Sequence, residues 1–537
     1  MSPDYEVGTI VGATSPIELT IACEGPPPPL WEYVIFYSEE EVGWDGHSQE
    51  VPVLAQVTLP VMESLVLTET TDPEAIRKIR EMEADSPLSY AHLRVLGYVD
   101  PLLKVVRAPR NAPSPGLPVY RAPEEILREF YEVPEEERIR IGNLITRRDV
   151  HVDLSVNGFR RHLAVLAATG AGKSYTTGII LEQLLEKGAT IVVIDPHADY
   201  VYLGVERKEN GYEELPIAGD VVILRNPGSM ADYSRAIRRE RIRDFTVAFS
   251  SLDPETVNEL AGIQPNWTKI REVVGDALEE VASTRGRTYT LDDLINRLKE
   301  KLDEEGSDMR SSIRSAIQRL KRLSNLRLFG LTTTSVVSFL KEPGKAVIVD
   351  LSGATDFEMD VATHLIVDEV FNARVNGELD YPVFLFVEEA HRVIPVKRST
   401  LSSSSIVRVA REGRKFGIFL TIISQRPSSV DPDVLSMCQS MIVMKTVNPS
   451  DQRAIRNAAE KMSEDLLNDL PGLNVGEAVV VGEIVKAPAL VRISGRRSAE
   501  GGSDIDVVAE LRRARMDRLA RASAGMLPSG GEEEWEV

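Results

Sequence analysis

The sequence predicts an α/β protein: a parallel sheet around a phosphate-binding loop, with a small β-barrel ahead of it and a helical subdomain inserted into it. Three observations carry that reading. First, the apolar run Leu163–Leu166 passes through a small-residue turn to Lys173-Ser174, which opens a helical pattern carrying Ile179, Ile180, Leu184 and Leu185. Strand, tight loop, Lys-Ser and helix is the context of a P-loop. Second, from about residue 150 long apolar runs alternate with helical stretches: Thr190–Ile194, Val221–Leu224, Ala346–Val349, Val383–Val387, Ile418–Ile423 and Met441–Met444. Continuous apolar strands separated by helices imply a parallel sheet covered on both faces. Third, such strands stop between about 233 and 330, where Ile313, Ala316, Ile317, Leu320 and Leu323 follow helical spacing.

At 537 residues the chain is too long for one core. Residues 1–125 carry short apolar segments, among them Val7–Val11, Tyr33–Tyr37, Val51–Leu59 and Leu93–Val99, broken by Pro and Gly. That pattern predicts a small barrel or sandwich. The Pro-rich stretch Ala108–Pro123 marks a boundary, and 126–149 reads as a charged linker. The core then occupies 150–232 and 331–497, with the helical insertion at 233–330. Inside the insertion, Asp253-Pro254 sets an N-cap with Pro at the first helical position. Thr290 and Asp293 resemble a capping box with Asp in place of Glu. Residues 498–537 form a C-terminal extension: one charged helical stretch, Val507–Arg521, then a Gly- and Glu-rich tail too polar to fold.

Composition excludes several classes. No run of 18 apolar residues exists, so no membrane span is expected. The start, Met1 to Glu6, lacks the basic-then-apolar order of a signal peptide. Cys23 and Cys438 alone make neither a disulfide framework nor a cysteine zinc site, and a cytoplasmic location is expected. The net charge of −21 argues against blanket attraction to nucleic acid, so any such contact needs a local basic patch.

The candidate site starts with Thr169, Gly170, Ala171, Gly172, Lys173, Ser174 and Tyr175. Backbone N–H groups of such a loop cradle phosphate oxygens, and the helix N-terminus adds partial positive charge. Lys173 is expected on the β/γ-phosphates and the Ser174 hydroxyl on Mg²⁺, so ATP and Mg²⁺ are the implied ligands. Ala167 stands where the pattern has its first Gly. The apolar strand Val383–Val387 ends in Glu388-Glu389. Placed beside the P-loop strand, Glu388 would act through metal-bound water and Glu389 would polarise the attacking water; otherwise the pair is a solvated acidic loop. Gln425, at the next strand's end, is a γ-phosphate sensor or a structural amide. Asp195 orients the site or caps a turn, and His391 reads as a packing or hydrogen-bonding residue. Arg160-Arg161 precede the P-loop strand, and Arg408, Arg411 and Arg414 fall three apart on a helix. Arginine suits charge on a transferring phosphate, against the alternative of a solvated basic face. Lys397 and Arg398 lie in Arg392–Ser405, which carries a Ser run and reads as a mobile loop or an ordinary exposed connector.

In order along the chain, Ala168-Thr-Gly-Ala-Gly-Lys-Ser174, Val193-Ile-Asp-Pro-His197, Phe386-Val-Glu-Glu-Ala-His391, Ala410-Arg-Glu-Gly-Arg-Lys-Phe-Gly417, Ile423-Ser-Gln-Arg-Pro-Ser428 and Gly476-Glu-Ala-Val-Val-Val-Gly482 resemble the HerA–FtsK group of ring-forming ATPases, the archaeal HerA type in particular. The resemblance implies a RecA-like core with a HAS-type N-terminal barrel, and a homohexameric ring that uses ATP to move double-stranded DNA through its pore. It implies a NurA-type nuclease partner on the barrel side, in DNA end resection and repair. It also assigns roles. Lys173 and Ser174 bind ATP and Mg²⁺, Glu389 is the catalytic carboxylate with Glu388 beside it, and Gln425 is the sensor. Arg414, or Arg411, is the finger acting in trans, Arg161 is an arginine acting in cis, and the C-terminal tail braces a neighbouring subunit. Glu388 stands where many P-loop proteins have Asp. Two other functions share this core: a conjugation- or secretion-type motor, and an ATP-switched platform that recruits a nuclease.

Overall fold

The computed structural model describes residues 5–82, 87–209, 211–229, 231, 236–304, 306–459, 462–501 and 507–523. The barrel is made by six strands, β1 (Glu6–Val11), β2 (Glu18–Ala22), β3 (Tyr33–Val42), β4 (His47–Glu63), β5 (Leu88–Val99) and β7 (Pro118–Arg121), with the two-residue β6 (Val106–Arg107) paired to β5 outside it. The strand order is β2-β1-β7-β3-β4-β5-β6, and β2 also pairs with β5, which closes the barrel. Closure removes the exposed edges that an open sheet presents. Alternation along the strands divides two jobs. Val34, Phe36, Val53 and Ala55 fill the lumen, while the intervening Tyr33, Ile35 and Leu54 pack outward into the core of the second domain. A short helix, α1 (Pro73–Glu81), lies between β4 and β5 and buries none of its residues.

The second domain is built on a 12-stranded sheet. After α2 (Glu124–Tyr131) its chain order begins with β8 (Arg138–Leu144), β9 (His151–Ser155), β10 (Leu163–Leu166), α3 (Lys173–Glu186) and β11 (Thr190–Asp195). A small hairpin of β12 (Val205–Lys208) and β13 (Gly211–Glu214) precedes β14 (Val221–Arg225) and β15 (Ile242–Asp244). The two-residue β16 (Val247–Ala248) pairs with β17 (Phe329–Gly330) across the base of four helices, α4 (Pro254–Leu260), α5 (Thr268–Arg285), α6 (Leu291–Glu304) and α7 (Ser307–Leu320). The second half carries α8 (Val336–Leu340), β18 (Ala346–Asp350), α9 (Asp356–Val375), β19 (Val383–Val387), α10 (Ala390–Val393), α11 (Leu401–Phe416) and β20 (Ile418–Ser424). It ends with β21 (Ser440–Met444), β22 (Glu477–Gly482) and β23 (Ala489–Ile493).

Strands β15-β14-β18-β11-β19-β20-β10-β21 run parallel, and β22-β23-β8-β9 continue the sheet antiparallel. All residues of β10, β11, β18 and β19 are buried, the apolar continuity expected of strands covered on both faces. Helix starts follow their caps. Asp253 accepts from the N–H groups of Glu255 and Thr256 at 2.9 and 3.0 Å. Thr290 and Asp293 form the reciprocal box, with Thr290 N–H donating to Asp293 at 2.9 Å.

The structure departs from the sequence reading in three places. Residues 138–144, expected in the linker, form β8 of the core sheet: buried Ile139 and Ile141 alternate with Arg138 and Arg140, a strand period that the charges mask. The start of the inserted region is not helical, because β15 extends the parallel sheet beside β14. And β19, expected beside the P-loop strand, is separated from β10 by β20. The charged stretch forms α12 (Val507–Ser523), while the Gly- and Glu-rich tail after it lies outside the described residues. No helix among the described residues is long and apolar enough to cross a membrane.

Candidate active site

The chain leaves β10 at Leu166 and turns through 167–172 into α3, whose first residue is Lys173. Gly170 (φ +74°) and Gly172 (φ +105°) take left-handed backbone conformations that favour glycine. Nothing lies within 4 Å of where a Gly170 Cβ would stand, so open space adjoins the loop, as a phosphate cradle requires. Thr169 and Gly170 are exposed, Ala171 is buried, and Ser174 and Tyr175 are half-buried in the first turn of α3. Thr169 Oγ1 donates to Gln425 Oε1 at 2.7 Å, so the structure brings the amide to the loop.

Lys173 is buried with its ammonium against the Glu388 carboxylate and 3.5 Å from Glu389 Oε1. The lysine reaches them past the end of β20, which is how β19 can lie one strand away and still serve the loop. Burial lowers the Lys173 pKa, and the facing carboxylates of Glu389, Asp199 and Asp195 oppose that shift. Tyr200 donates to Glu388 Oε2 at 3.3 Å. Glu389 has a left-handed backbone (φ +48°) and is 3% exposed. Its Oε2 lies 3.1 Å from His391 Nδ1, outside hydrogen-bond alignment, and makes no hydrogen bond. Burial pushes its pKa up, but His391 and Lys173 more than offset this and hold it at about 2. The carboxylate is therefore ionised at neutral pH, with Oε2 facing the His391 ring.

Asp195 resolves as a turn cap: its carboxylate accepts from the N–H groups of His197, Asp199 and Tyr200 at 3.2, 3.1 and 2.9 Å. Burial, with Asp199 and Asp350 nearby, raises its pKa to about 7 against the pull of those amides. Two contacts escape a reading of the sequence. Ser174 Oγ donates to Asp199 Oδ2 at 2.7 Å, and the Ser174 carbonyl accepts from Arg496 at 2.9 Å. Asp199 stands four residues past the end of a core strand, a visible signal; Arg496 lies more than 300 residues from its partner and gives none. Among the described residues no cluster of three or more His, Cys, Asp or Glu side chains could hold a metal by itself. The Ser174 hydroxyl beside the Asp199 carboxylate is an oxygen donor set of the kind magnesium takes together with phosphates and water.

The arginines stand elsewhere. Arg161 is exposed at the start of β10 and the P-loop follows its end, so about 13 Å of extended strand separates them. An arginine side chain does not span that distance, and the expected role of Arg161 in cis on its own nucleotide is not compatible with the fold. Arg411 and Arg414 are exposed on the last turns of α11, which lead into the start of β20 and so share the Arg161 end of the sheet. Arg408 instead lies over the Phe371 ring at 4.0 Å, a packing role. Lys397 and Arg398 are exposed between α10 and α11, past the C-terminal end of β19 on the P-loop side. Arg398 comes 3.9 Å from Asp356, which Arg392 also engages at 2.7 Å.

His162 fixes the arginine end. Leu420 N–H donates to its Nδ1 at 3.0 Å, so the proton sits on Nε2, which donates to the Ala410 carbonyl at 3.1 Å. Burial lowers its pKa from 6.5 to about 4, with Arg414 contributing. Below pH 6.5 the unfolded chain takes a proton that the folded chain refuses, so stability falls until about pH 4, by about 3 kcal/mol in all. In urea unfolding at pH 7 and pH 4.5, the advantage of wild type over His162→Gln should shrink by most of that amount. An advantage independent of pH would contradict it.

A loop of open amides at a strand end, with a buried lysine and paired carboxylates converging on its mouth, is built to hold and cleave a phosphoanhydride; the chain is of the P-loop ATPase class, with a RecA-like core. Residues 139–370 match the family model for the helicase HerA central domain. A probable helicase of Methanocaldococcus jannaschii is 30% identical, over 94% of this chain and 93% of that relative. The DNA double-strand break repair helicase HerA of Pyrococcus furiosus is 32% identical, over 76% of this chain and 78% of that relative. Among solved structures, VirB4 of Thermoanaerobacter pseudethanolicus aligns with a TM-score of 0.47 at 18% identity, over 68% of this chain and 98% of that one. The chain belongs to the HerA helicase family.

Proposed function

We propose that this protein is an ATP-driven translocase of double-stranded DNA, acting as a head-to-tail homohexameric ring with a NurA-type nuclease in DNA end resection. The observation that carries the reading is the split between two ends of the sheet: Lys173, Glu388 and Glu389 at one, and exposed Arg161, Arg411 and Arg414 at the other. Identical subunits packed head to tail bring one subunit's arginines to the next one's P-loop, and such heterologous contacts close into rings. Arg161 then acts with Arg414 in trans. Lys397 and Arg398 supply the local positive charge that a chain of net charge −21 needs for sequence-independent contact with phosphates. Exposed Leu59, Met62, Leu65 and Leu88 on the barrel and its β4–β5 connection favour a protein partner on that side.

Bound ATP with Mg²⁺ supplies the phosphoanhydride whose cleavage drives movement. Lys173 exchanges its carboxylate partners for phosphate oxygens, which raises the basicity of Glu389. Ser174 would hold the metal through its hydroxyl oxygen. Glu389 accepts the proton of the attacking water, and Gln425 holds that water against the loop. The test is ATP hydrolysis with and without linear duplex DNA, in wild type and Lys173→Ala, paired with triplex displacement. Stimulation by duplex that disappears in the variant is expected. Hydrolysis indifferent to DNA would favour the nucleotide-switched platform, and no hydrolysis would end the motor reading.

A further inference from the structure

The segment 494–501, after the last strand of the sheet, folds back along α3 instead of leaving the domain. Ser494 N–H donates to the Ile141 carbonyl, and Ala499 N–H to the Val205 carbonyl. The buried Glu182 carboxylate accepts from the N–H groups of Arg497 and Ser498, the latter at 2.6 Å. Ser498 Oγ accepts from Gly204 N–H at 3.0 Å. These bonds tie the segment to α3 and to the loop after β11, the two elements that carry Ser174 and Asp199.

Its most specific contact is Arg496. The side chain is 2% exposed, and its guanidinium donates to the carbonyls of Ser174, Ser498 and Ala499 at 2.9, 3.0 and 2.9 Å. Glu500, its carboxylate partner among the described residues at 3.4 Å, is half-exposed. The three carbonyl hydrogen bonds offset the cost of burying the cation. The room for it comes from Gly178, one turn beyond Ser174, where a Cβ would meet the guanidinium carbon at 2.7 Å. On the other side of the serine, Asp199 takes the hydroxyl proton at 2.7 Å, and its own backbone carbonyl accepts from Gly501 N–H at 3.1 Å. The segment therefore holds both groups that bracket Ser174.

We propose that residues 494–501 are part of the nucleotide site, with Asp199 and Arg496 as positioning residues that present the Ser174 hydroxyl to magnesium. The chemistry is that of an outer-shell carboxylate. A serine hydroxyl has one proton and two lone pairs. With the proton held by Asp199, the lone pairs are free for the cation and the oxygen is more basic. Arg496 fixes the first turn of α3 by its carbonyl, so the hydroxyl stays aligned. This rests on the reading of Ser174 as a magnesium-binding residue.

The test is titration of full-length protein with a fluorescent ADP across a range of Mg²⁺ concentrations. Wild type should bind the nucleotide more tightly as Mg²⁺ rises. Asp199→Asn and Arg496→Gln should shift the Mg²⁺ midpoint upward by about tenfold or more, the usual cost of losing an outer-shell partner, and leave magnesium-free binding unchanged. Arg497→Gln breaks contacts of the same segment with Glu182 and Glu186 without touching Ser174, and should leave the midpoint alone. Midpoints unchanged in Asp199→Asn and Arg496→Gln overturn the proposal while leaving the ATPase reading intact. Wild-type binding indifferent to Mg²⁺ overturns both. An equal shift in Arg497→Gln reduces the segment to a general brace.

Discussion

Glu389→Gln lowers the rate of ATP hydrolysis by roughly 10²- to 10⁴-fold, the usual contribution of a positioned general base, and leaves nucleotide affinity nearly unchanged. The side chain is buried, ionised and held by Lys173 and His391, yet one oxygen has no hydrogen bond. Glutamine keeps the shape and the contact with Lys173 but cannot take a proton. The loss corresponds to about 3 to 5 kcal/mol on the barrier. Glu388 should respond differently. It is fully buried between Lys173 and Tyr200, so Glu388→Gln weakens a buried ion pair and registers in stability as well as in rate. Single-turnover hydrolysis, nucleotide titration and unfolding of both variants separate the two roles. A Glu389→Gln enzyme within tenfold of wild type, beside an inert Glu388→Gln, would transfer the base to Glu388.

The P-loop and the paired carboxylates are legible in the chain because each is local: a strand runs into a fixed run of residues, and the strand period or helix start can be read within a dozen positions. What a strand end faces is another matter. The order β19-β20-β10 depends on which crossover passes over which neighbour, and nothing in Val383–Val387 records it. The same blindness explains Arg161. It lies eight positions before Thr169, and proximity in the chain suggests proximity to the phosphates, but the intervening residues are extended strand and carry the loop to the far end of the sheet. The contacts of Arg496 and Asp199 with Ser174 join segments that meet only when α3, the loop after β11 and the C-terminal segment have all docked. Residues 138–144 hide for a compositional reason: arginines on the outward face of a strand look like a charged linker.

The arginine end makes the second large prediction. Arg414→Ala should reduce hydrolysis by roughly 10³-fold or more, the scale of a trans-acting arginine, although Arg414 stands at the opposite end of the strands from its own P-loop. Lys173→Ala should be inactive for the complementary reason. If each site joins the P-loop of one subunit to the arginine of the next, neither loss is private to the subunit that carries it. Co-expression of the two inactive chains with different tags, and purification of rings that carry both, should then restore hydrolysis. In random assembly from equal amounts, about one interface in four combines an intact loop with an intact arginine, so recovery should approach that fraction of wild type if sites fire independently. It should fall below it if firing must pass around the ring. Two chains that each lack a group for their own site cannot regain activity from sites built within one subunit. Any recovery therefore requires a shared interface, whereas doubly tagged rings with none, or an Arg414→Ala protein that hydrolyses at the wild-type rate, would return the arginines to a solvated basic face.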